Sequence, residues 1–267
     1  MRKILFAGGD RRTLSAVEYM KKQGFSIVTY ALPHRRPIED RNFSAVVLPF
    51  PCLKQGRLNA PLTETPPTLE EFLSETELDP SITVIGGPIP DNPFSHYVDL
   101  SQREDLKLRN AVPTAEGALD LLIRHTDRTV FGMDCLIVGY GAVGKRLSTV
   151  LSSMGASITV AARKAQDRLD AGLRGWRTMD TKELYLQGFQ AIFNTVPKVL
   201  LTESVLRESE PYAVFVELAS PPGGLDRSCA QALSRTVIDG PALPGKVAPV
   251  TAGEDLAKTV IHILKTL

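Results

Sequence analysis

Short apolar runs alternate with amphipathic runs along the first part of the chain. Residues 4–7 are apolar and end at a Gly-Gly-Asp turn, and residues 12–23 carry apolar side chains at helical spacing. Three more apolar runs, at residues 25–30, 45–48 and 83–85, follow the same pattern. Strands that alternate with helices pair in parallel through right-handed crossovers. The pattern therefore predicts an α/β fold built on a parallel sheet.

The helical pattern resumes just after Pro113, where residues 114–117 read Thr-Ala-Glu-Gly. Leu119, Leu122 and Ile123 then form an apolar stripe, and a hydroxyl side chain ahead of such a stripe is typical of a helix N-cap. We therefore predict that a helix begins here with Thr114 as its cap.

A second alternating series begins at Cys135. Two such series predict two Rossmann-like parallel-sheet domains with an interdomain cleft. Residues 1–112 would form a substrate or catalytic domain, and residues 113–251 a nucleotide-binding domain. The amphipathic segment 252–267 predicts a final helix, which either completes the second domain or returns to the first.

The charge balance narrows the classes of partner. The 267 residues carry 31 Lys and Arg against 30 Asp and Glu, which gives a net charge of +1. Proteins that bind nucleic acids or acidic membranes concentrate positive charge, so the balance argues against both and favours a small molecule. No apolar stretch approaches the ~18 residues of a membrane span, and the first apolar run is too short for a signal-peptide core. We expect a cytoplasmic protein.

The three cysteines, Cys52, Cys135 and Cys229, are widely spaced, and no two have the spacing of metal ligands. Free cysteine behaves as a small buried apolar residue, and an odd number without pairing fits a reducing compartment. We therefore expect buried thiols and no metal site.

The strongest local motif is a G-x-G-x-x-G run that follows an apolar strand and leads into a helical pattern. Gly139 allows the tight turn, Gly141 lets a pyrophosphate approach the backbone, and Gly144 lets the helix pack closely on the strand. The N-terminus of that helix offers N–H groups to the phosphates. The alternative is a glycine-rich turn with no ligand. The motif predicts dinucleotide contacts at Gly139, Tyr140, Gly141, Ala142, Val143 and Gly144.

The end of the next strand indicates which dinucleotide binds. NAD sites place an Asp or Glu there, about 20 residues past the glycines, for the ribose 2′-hydroxyl. This chain has Arg163 and Lys164 instead, and a guanidinium binds a 2′-phosphate through charge-assisted hydrogen bonds. We therefore expect NADP, with NAD possible. The alternative is that Arg163 is only a solvated side chain at a strand end.

Two further strands break at proline, where loops at the carboxyl ends of a parallel sheet contact ligands. The side chain of Asn194 also suits turn chemistry, so a structural role stays open. The predicted contacts to the nicotinamide riboside are Asn194, Thr195, Val196, Pro197, Ala219 and Ser220.

Short segments over nearly the whole chain indicate a family. They are 8–11 (GGDR), 110–117 (NAVPTAEG), 125–129 (HTDRT), 139–144 with Ala162-Arg163, 194–197 (NTVP), 217–224 (ELASPPGG) and 241–253 (PALPGKVAPVTAG). Together they resemble one family, the A subunit of dipicolinate synthase of spore-forming bacteria. The stretch Pro-Gly-Lys-Val-Ala-Pro is distinctive, whereas the glycine motif alone points only to dehydrogenases in general. Residues 31–100 match the family loosely.

The resemblance implies the fold of two-domain dehydrogenases of the formate and glycerate type. It also implies NAD(P)-dependent oxidation of dihydrodipicolinate to dipicolinate, pyridine-2,6-dicarboxylate, during sporulation. A second, flavoprotein-like B subunit is the implied partner, and we expect a homo-oligomer.

A dicarboxylate substrate needs cationic or N–H groups at both ends. Structural roles stay open for the candidates: Thr114 and Glu116 also suit a helix N-terminus, and Lys246 and Arg11 also suit a solvated surface. The substrate-binding candidates are Gly8, Gly9, Asp10, Arg11 and Thr114; the catalytic candidates are Thr114, Glu116 and Lys246; and Pro244 and Gly245, beside Lys246, join the cofactor contacts.

The histidines bear on the choice of reaction. The chain has four, His34, His96, His125 and His262, and none lies between Cys135 and Val250. A 2-hydroxy-acid dehydrogenase would need a histidine base in that region, whereas hydride removal that yields an aromatic ring depends more on positioning. Two alternatives stay open: another two-domain hydroxy- or keto-acid dehydrogenase, and a non-catalytic NADPH-binding regulatory subunit.

Overall fold

The computed structural model describes residues 3–266, which form two compact units. The first unit comprises the described residues up to Asn110 together with those from Ala248 onward, and the second is Ala111–Val247. Each unit contains its own parallel sheet. The chain is therefore an α/β protein with two Rossmann-like sheets.

The first part of the chain alternates strands and helices, as its apolar pattern predicts. The elements are β1 (Lys3–Ala7), α1 (Arg11–Lys22), β2 (Ser26–Tyr30), β3 (Ala45–Val47), β4 (Leu53–Lys54), β5 (Arg57–Leu58), α2 (Leu69–Thr76), β6 (Thr83–Gly86), β7 (His96–Asp99) and α3 (Glu104–His125). Five parallel strands form the first sheet in the order β2-β1-β3-β6-β7, and the short antiparallel pair β4 and β5 lies outside it. This is a doubly wound order, in which the chain reverses direction across the sheet between β1 and β3.

The second part of the chain continues the alternation. Its elements are β8 (Asp134–Val138), α4 (Ala142–Ser153), β9 (Ser157–Ala161), α5 (Ala165–Leu173), β10 (Arg177–Met179), β11 (Ala191–Asn194), α6 (Glu203–Arg207), β12 (Val214–Glu217), α7 (Arg227–Ala232), β13 (Thr236–Asp239) and α8 (Leu243–Val247). Six parallel strands form the second sheet in the order β10-β9-β8-β11-β12-β13. Counted from the first strand of this unit, the order is 3-2-1-4-5-6, which is that of dinucleotide-binding sheets.

The last helix, α9 (Pro249–Thr266), packs against α1 in the first unit. Its residues Leu256, Val260 and Ile263 are buried in the same apolar cluster as Ile4 and Phe6 of β1. The amphipathic pattern left two positions open for this helix, and its apolar face covers the first sheet.

The predicted helix start at Thr114 is wrong. Helix α3 begins well before that residue, at Glu104, and runs through Pro113 to His125. Proline keeps a helical φ and costs one backbone hydrogen bond, so a helix with enough packing tolerates it. Leu106 before the proline and Leu122 after it are both buried. The apolar stripe is also displaced, because Ile123 is exposed.

The cysteines follow the expected burial in part. Cys52 and Cys135 are fully buried, and burial raises the pKa of each thiol to about 12. Cys229 is half-buried, and all three are free thiols. Over residues 3–266, no group of three or more His, Cys, Asp or Glu side chains is placed to hold a metal ion. Within the same residues, no helix has the length and apolar character needed to cross a membrane.

The close packing of α9 on α1 generates a test of stability. A Cβ at Gly253 would lie 2.3 Å from the backbone oxygen of Arg12, so Gly253→Ala should push the two helices apart. We expect it to lower the free energy of unfolding by about 1–3 kcal/mol. Urea denaturation followed by circular dichroism measures the change.

The matched control is Gly172→Ala in α5, where a Cβ would meet nothing within 4 Å. Alanine favours helix over glycine, so this variant should be neutral or up to about 1 kcal/mol more stable. Equal effects from the two alanines would contradict the packing argument.

Candidate active site

The glycine motif lies where the second sheet reverses direction. The chain leaves β8 through Gly139, whose φ is +100°, and enters α4 with Gly141 as the N-cap residue. The Gly139 N–H donates to the carbonyl oxygen of Ala161 at the end of the neighbouring strand, over 2.8 Å. Because no side chain caps α4, the N–H groups of its first turn are open to an anion.

The three glycines meet different surroundings. A Cβ at Gly139 would lie 2.3 Å from the Thr195 hydroxyl, and one at Gly144 would lie 2.2 Å from the Gly139 carbonyl oxygen. A Cβ at Gly141 would meet nothing within 4 Å. Two of the glycines are therefore required by packing within the protein, and the third leaves open space over the helix N-terminus.

Tyr140 is the large side chain of the motif. It is buried, with its ring edge-on to Trp176 at 6.3 Å between ring centres and the Lys145 ammonium 4.9 Å from its own ring centre. Burial raises the pKa of its hydroxyl to about 12. Ala142 and Val143 are half-buried in the first turn of α4.

Arg163 and Lys164 lie between β9 and α5, and both are exposed. The loop that carries them is held by Arg168, whose guanidinium donates to the carbonyl oxygens of Ala162 at 2.7 Å and Arg163 at 2.9 Å. Arg168 also pairs with Asp180 at 2.9 Å. Within residues 3–266, no ion pair engages Arg163 or Lys164, so both cations are available to an anionic ligand.

Asn194, at the end of β11, is 2% exposed. Its amide nitrogen donates to the Val196 carbonyl oxygen at 3.0 Å, and its amide oxygen accepts the Val196 N–H at 3.2 Å. The next residue, Thr195, donates from its hydroxyl to the Val138 carbonyl oxygen at 2.9 Å. These bonds tie the loop after β11 to the end of β8, directly before the glycine motif.

The loop after β12 lies at the same edge of the sheet. The Ala219 N–H donates to Glu217, whereas Ser220 is exposed and its carbonyl oxygen accepts the Gly223 N–H. Val196 is half-buried and Pro197 is exposed. The structure thus brings the predicted riboside contacts together around Asn194 and Glu217.

Glu217 was not among the residues predicted from the sequence. It is 6% exposed and accepts hydrogen bonds from both neighbouring loops. The available signal was a carboxylate at the last position of an apolar strand, which is unusual because a buried charge needs several donors.

The remaining candidates of the second unit lie on two helices and differ in their exposure. Pro244 and Gly245 are buried in the short helix α8, and Lys246 is exposed on it. Glu116 is exposed and Thr114 is half-buried, both within the continuous helix α3 rather than at its start.

In the first unit, the turn after β1 places Gly8 and Gly9 at φ +67° and +109°. Asp10 caps α1 by accepting the Arg12 N–H at 2.9 Å, and its carboxylate also binds the Arg12 guanidinium at 2.8 Å. Arg11 is exposed. Arg12 also donates to the Phe50 carbonyl oxygen at 2.8 Å, so it is the arginine built into this turn, and it was not among the predicted residues.

The turn lines a crevice at the carboxyl ends of β1 and β3. Gly9, Asp10, Arg12 and Thr13 form one side, and Asn59 contributes its carbonyl oxygen, which accepts the Gly9 N–H at 2.8 Å. The crevice lies at the point where the first sheet reverses direction, which is where ligands bind in open α/β sheets.

Comparison with known proteins finds similarity to dipicolinate synthase A subunits. Residues 3–95 match the model of the N-terminal domain of the dipicolinate synthase A subunit. The A subunit of dipicolinate synthase of Bacillus subtilis (strain 168) is 34% identical over 170 residues, which cover 62% of this chain and 57% of that relative. The crystal structure of the A subunit of dipicolinate synthase from Bacillus halodurans has a TM-score of 0.88 at 26% identity, covering 98% of this chain and 97% of that one.

The chain is thus similar to dipicolinate synthase A subunits in sequence over part of its length and in fold over almost all of it. The sequence match spans little more than half of the Bacillus subtilis relative, whereas the structural match to the Bacillus halodurans protein spans almost the whole of both chains.

The fold of this chain is also similar to that of dehydrogenases. A D-lactate dehydrogenase from Sporolactobacillus sp. has a TM-score of 0.65 at 14% identity, covering 100% of this chain and 97% of that one. At that identity the likeness concerns the fold alone, and it confirms the expected pair of Rossmann-like sheets.

The different surroundings of Gly141 and Gly144 generate a matched pair of variants. Gly144→Ala should lower the free energy of unfolding by about 1–3 kcal/mol, because its Cβ would collide with the Gly139 carbonyl. Gly141→Ala should leave stability within about 0.5 kcal/mol, because nothing surrounds that position. Thermal unfolding of the two variants measures the difference, and a similar loss in both would contradict the assigned packing.

Proposed function

We propose that this chain is the A subunit of a dipicolinate synthase and oxidises dihydrodipicolinate to dipicolinate with a nicotinamide dinucleotide. In this proposal it acts in the cytoplasm during sporulation, as a homo-oligomer and together with a flavoprotein-like B subunit. The observation that carries the proposal is the glycine motif at the reversal point of a 3-2-1-4-5-6 sheet, in a chain that is similar to a dipicolinate synthase A subunit.

The residues present fit a dinucleotide. Gly141 leaves open space over the N-terminus of α4, and no side chain of the protein caps that helix. The positive end of the helix dipole and its free N–H groups suit a pyrophosphate. The phosphate contacts are therefore assigned to residues 139–144.

NADP is the proposed cofactor, with NAD as the alternative. Arg163 and Lys164 stand at the end of β9, where NAD-binding sites carry a carboxylate. The bonds from Arg168 to the backbone of residues 162 and 163 hold this loop in place, so that the Arg163 side chain alone has to adjust to a ligand. A guanidinium at this position favours a 2′-phosphate over a 2′-hydroxyl.

A bound nicotinamide would accept a hydride from the substrate, and the loss of a proton completes an aromatic ring. The chain supplies positioning: Asn194 and Thr195 fix the loop after β11, and Ala219 and Ser220 lie in the loop after β12. Neither loop contains a histidine, and positioning is the larger requirement of such a step.

The proposed ligands for the carboxylates of the substrate are cations and N–H groups. In the first unit they are Arg11 and the turn formed by Gly8, Gly9 and Asp10; in the second unit the proposed catalytic residue is the exposed Lys246. Thr114 and Glu116 of α3 remain proposed catalytic residues, and Thr114 remains a proposed substrate contact, although neither lies at the start of the helix.

A regulatory subunit that binds NADPH without catalysis is the second candidate. All four histidines are exposed, and His125 binds the Leu121 carbonyl oxygen at 2.8 Å within its own helix. The lack of a buried histidine base favours this regulatory candidate. An assay of cofactor reduction distinguishes it from the proposed enzyme.

The assay measures reduction of NADP by enzymatically generated dihydrodipicolinate, followed at the absorbance band of the reduced nicotinamide. We expect reduced cofactor from the unaltered protein, alone or with the B subunit, and much less from Gly141→Ala, whose Cβ would occupy the open space above α4. Binding of NADP without any reduction, in both preparations, would favour the regulatory candidate and refute the enzyme proposal.

The choice of cofactor has its own variant. Arg163→Ala should weaken NADP binding about tenfold and NAD binding less than about twofold, because only NADP offers a phosphate there. Calorimetric titration with both dinucleotides measures the two affinities. Arg207→Ala, in an exposed pair with Glu203 on α6, is the control and should change neither. Equal losses for NADP and NAD with Arg163→Ala would refute the assignment.

A further inference from the structure

A buried carboxylate joins the two loops that follow β11 and β12. Glu217 is the last residue of β12 and is 6% exposed. One of its carboxylate oxygens accepts the Asn194 amide N–H at 2.7 Å and the Ala219 N–H at 3.0 Å. The other accepts the Gly224 N–H at 3.1 Å. No salt bridge involves Glu217 within residues 3–266, so its carboxylate is held by hydrogen bonds from N–H groups.

This arrangement is costly unless every donor is in place. A carboxylate taken out of water loses much of its solvation, and hydrogen bonds from N–H groups offset the loss. Apolar or amide side chains would fill the same space without that penalty. The site therefore uses a full negative charge to hold three donors from two separate loops.

The geometry shows what the three donors control. Asn194, held by Glu217, in turn binds both the N–H and the carbonyl oxygen of Val196. Gly224 closes the loop after β12, and a Cβ there would lie 2.3 Å from the Asn194 amide nitrogen. The Glu217 side chain, which bonds to both segments, thus fixes the distance between residues 194–196 and residues 219–224.

We infer that Glu217 is a positioning residue that sets the two loops on the nicotinamide side of the proposed dinucleotide site. The inference rests on the proposed function. Each half of a 3-2-1-4-5-6 sheet serves one mononucleotide, and β11 and β12 belong to the half opposite the one that carries Arg163. Glu217 acts on the nicotinamide through Asn194 and the loop backbone, and it makes no contribution to the phosphate-binding half.

The test uses Glu217→Gln, which keeps the shape and replaces one acceptor oxygen by a donor that faces an existing N–H. Calorimetry compares the affinity for NADPH with that for 2′-phospho-ADP-ribose, which lacks the nicotinamide. We expect NADPH binding to weaken about tenfold and fragment binding to change less than about twofold. Glu203→Gln, at an exposed pair on α6, is the matched control and should change neither affinity.

The fragment separates positioning from a merely structural role. A general loosening of the second unit would weaken the binding of the fragment and the binding of NADPH by similar factors. Such a result would overturn the inference. Unchanged NADPH binding in Glu217→Gln would also overturn it, while leaving the proposed function intact. If the unaltered protein binds neither NADPH nor NADH, the proposed function itself fails and the inference fails with it.

Discussion

At the edge of the second sheet, separate backbone segments lie very close to one another, and this is possible only because glycines stand at the points of contact. Gly144 lies against the Gly139 carbonyl, Gly139 lies against Thr195, and Gly224 lies against Asn194. Each approach leaves less than 2.5 Å for a Cβ, a separation that no side chain can occupy. The helix α4, the loop after β11 and the loop after β12 are consequently drawn to one edge. The rest of the candidate site is arranged around these three contacts.

The two sides of this edge carry charged side chains of opposite sign. On the side of β9, Arg163 and Lys164 are exposed cations near the open N-terminus of α4. On the side of β12, Glu217 is a buried anion whose hydrogen bonds are made to N–H groups of the protein. A net charge of +1 conceals this separation. Exposed cations can bind an anionic ligand, whereas a buried carboxylate whose two oxygens both accept hydrogen bonds from the protein holds those groups in place.

Most strands and helices were predictable because their patterns are local. The apolar runs at residues 4–7 and 25–30 correspond to β1 and β2, and the glycine motif lies between β8 and α4. The start of α3 was not predictable from Pro113 and Thr114, because the helix is stabilised by packing on both sides of the proline. Leu106 and Leu122 make those contacts with residues far away in sequence, and local preference is weak against such burial.

The side chains of the candidate site also include some that local sequence patterns predict and some whose contacts only tertiary packing decides. The residue types at 139–144, the cations at 163 and 164 and the loop at Asn194 followed from the sequence, because motif spacing places them at the carboxyl ends of parallel strands. The sequence alone thus determined the fold class and the half of the chain that carries the nucleotide motif. Only the tertiary structure decided that Arg12 rather than Arg11 binds Asp10, that α9 covers the first sheet, and that Glu217 joins two loops. Those contacts link residues through space, and no local periodicity encodes which partners meet.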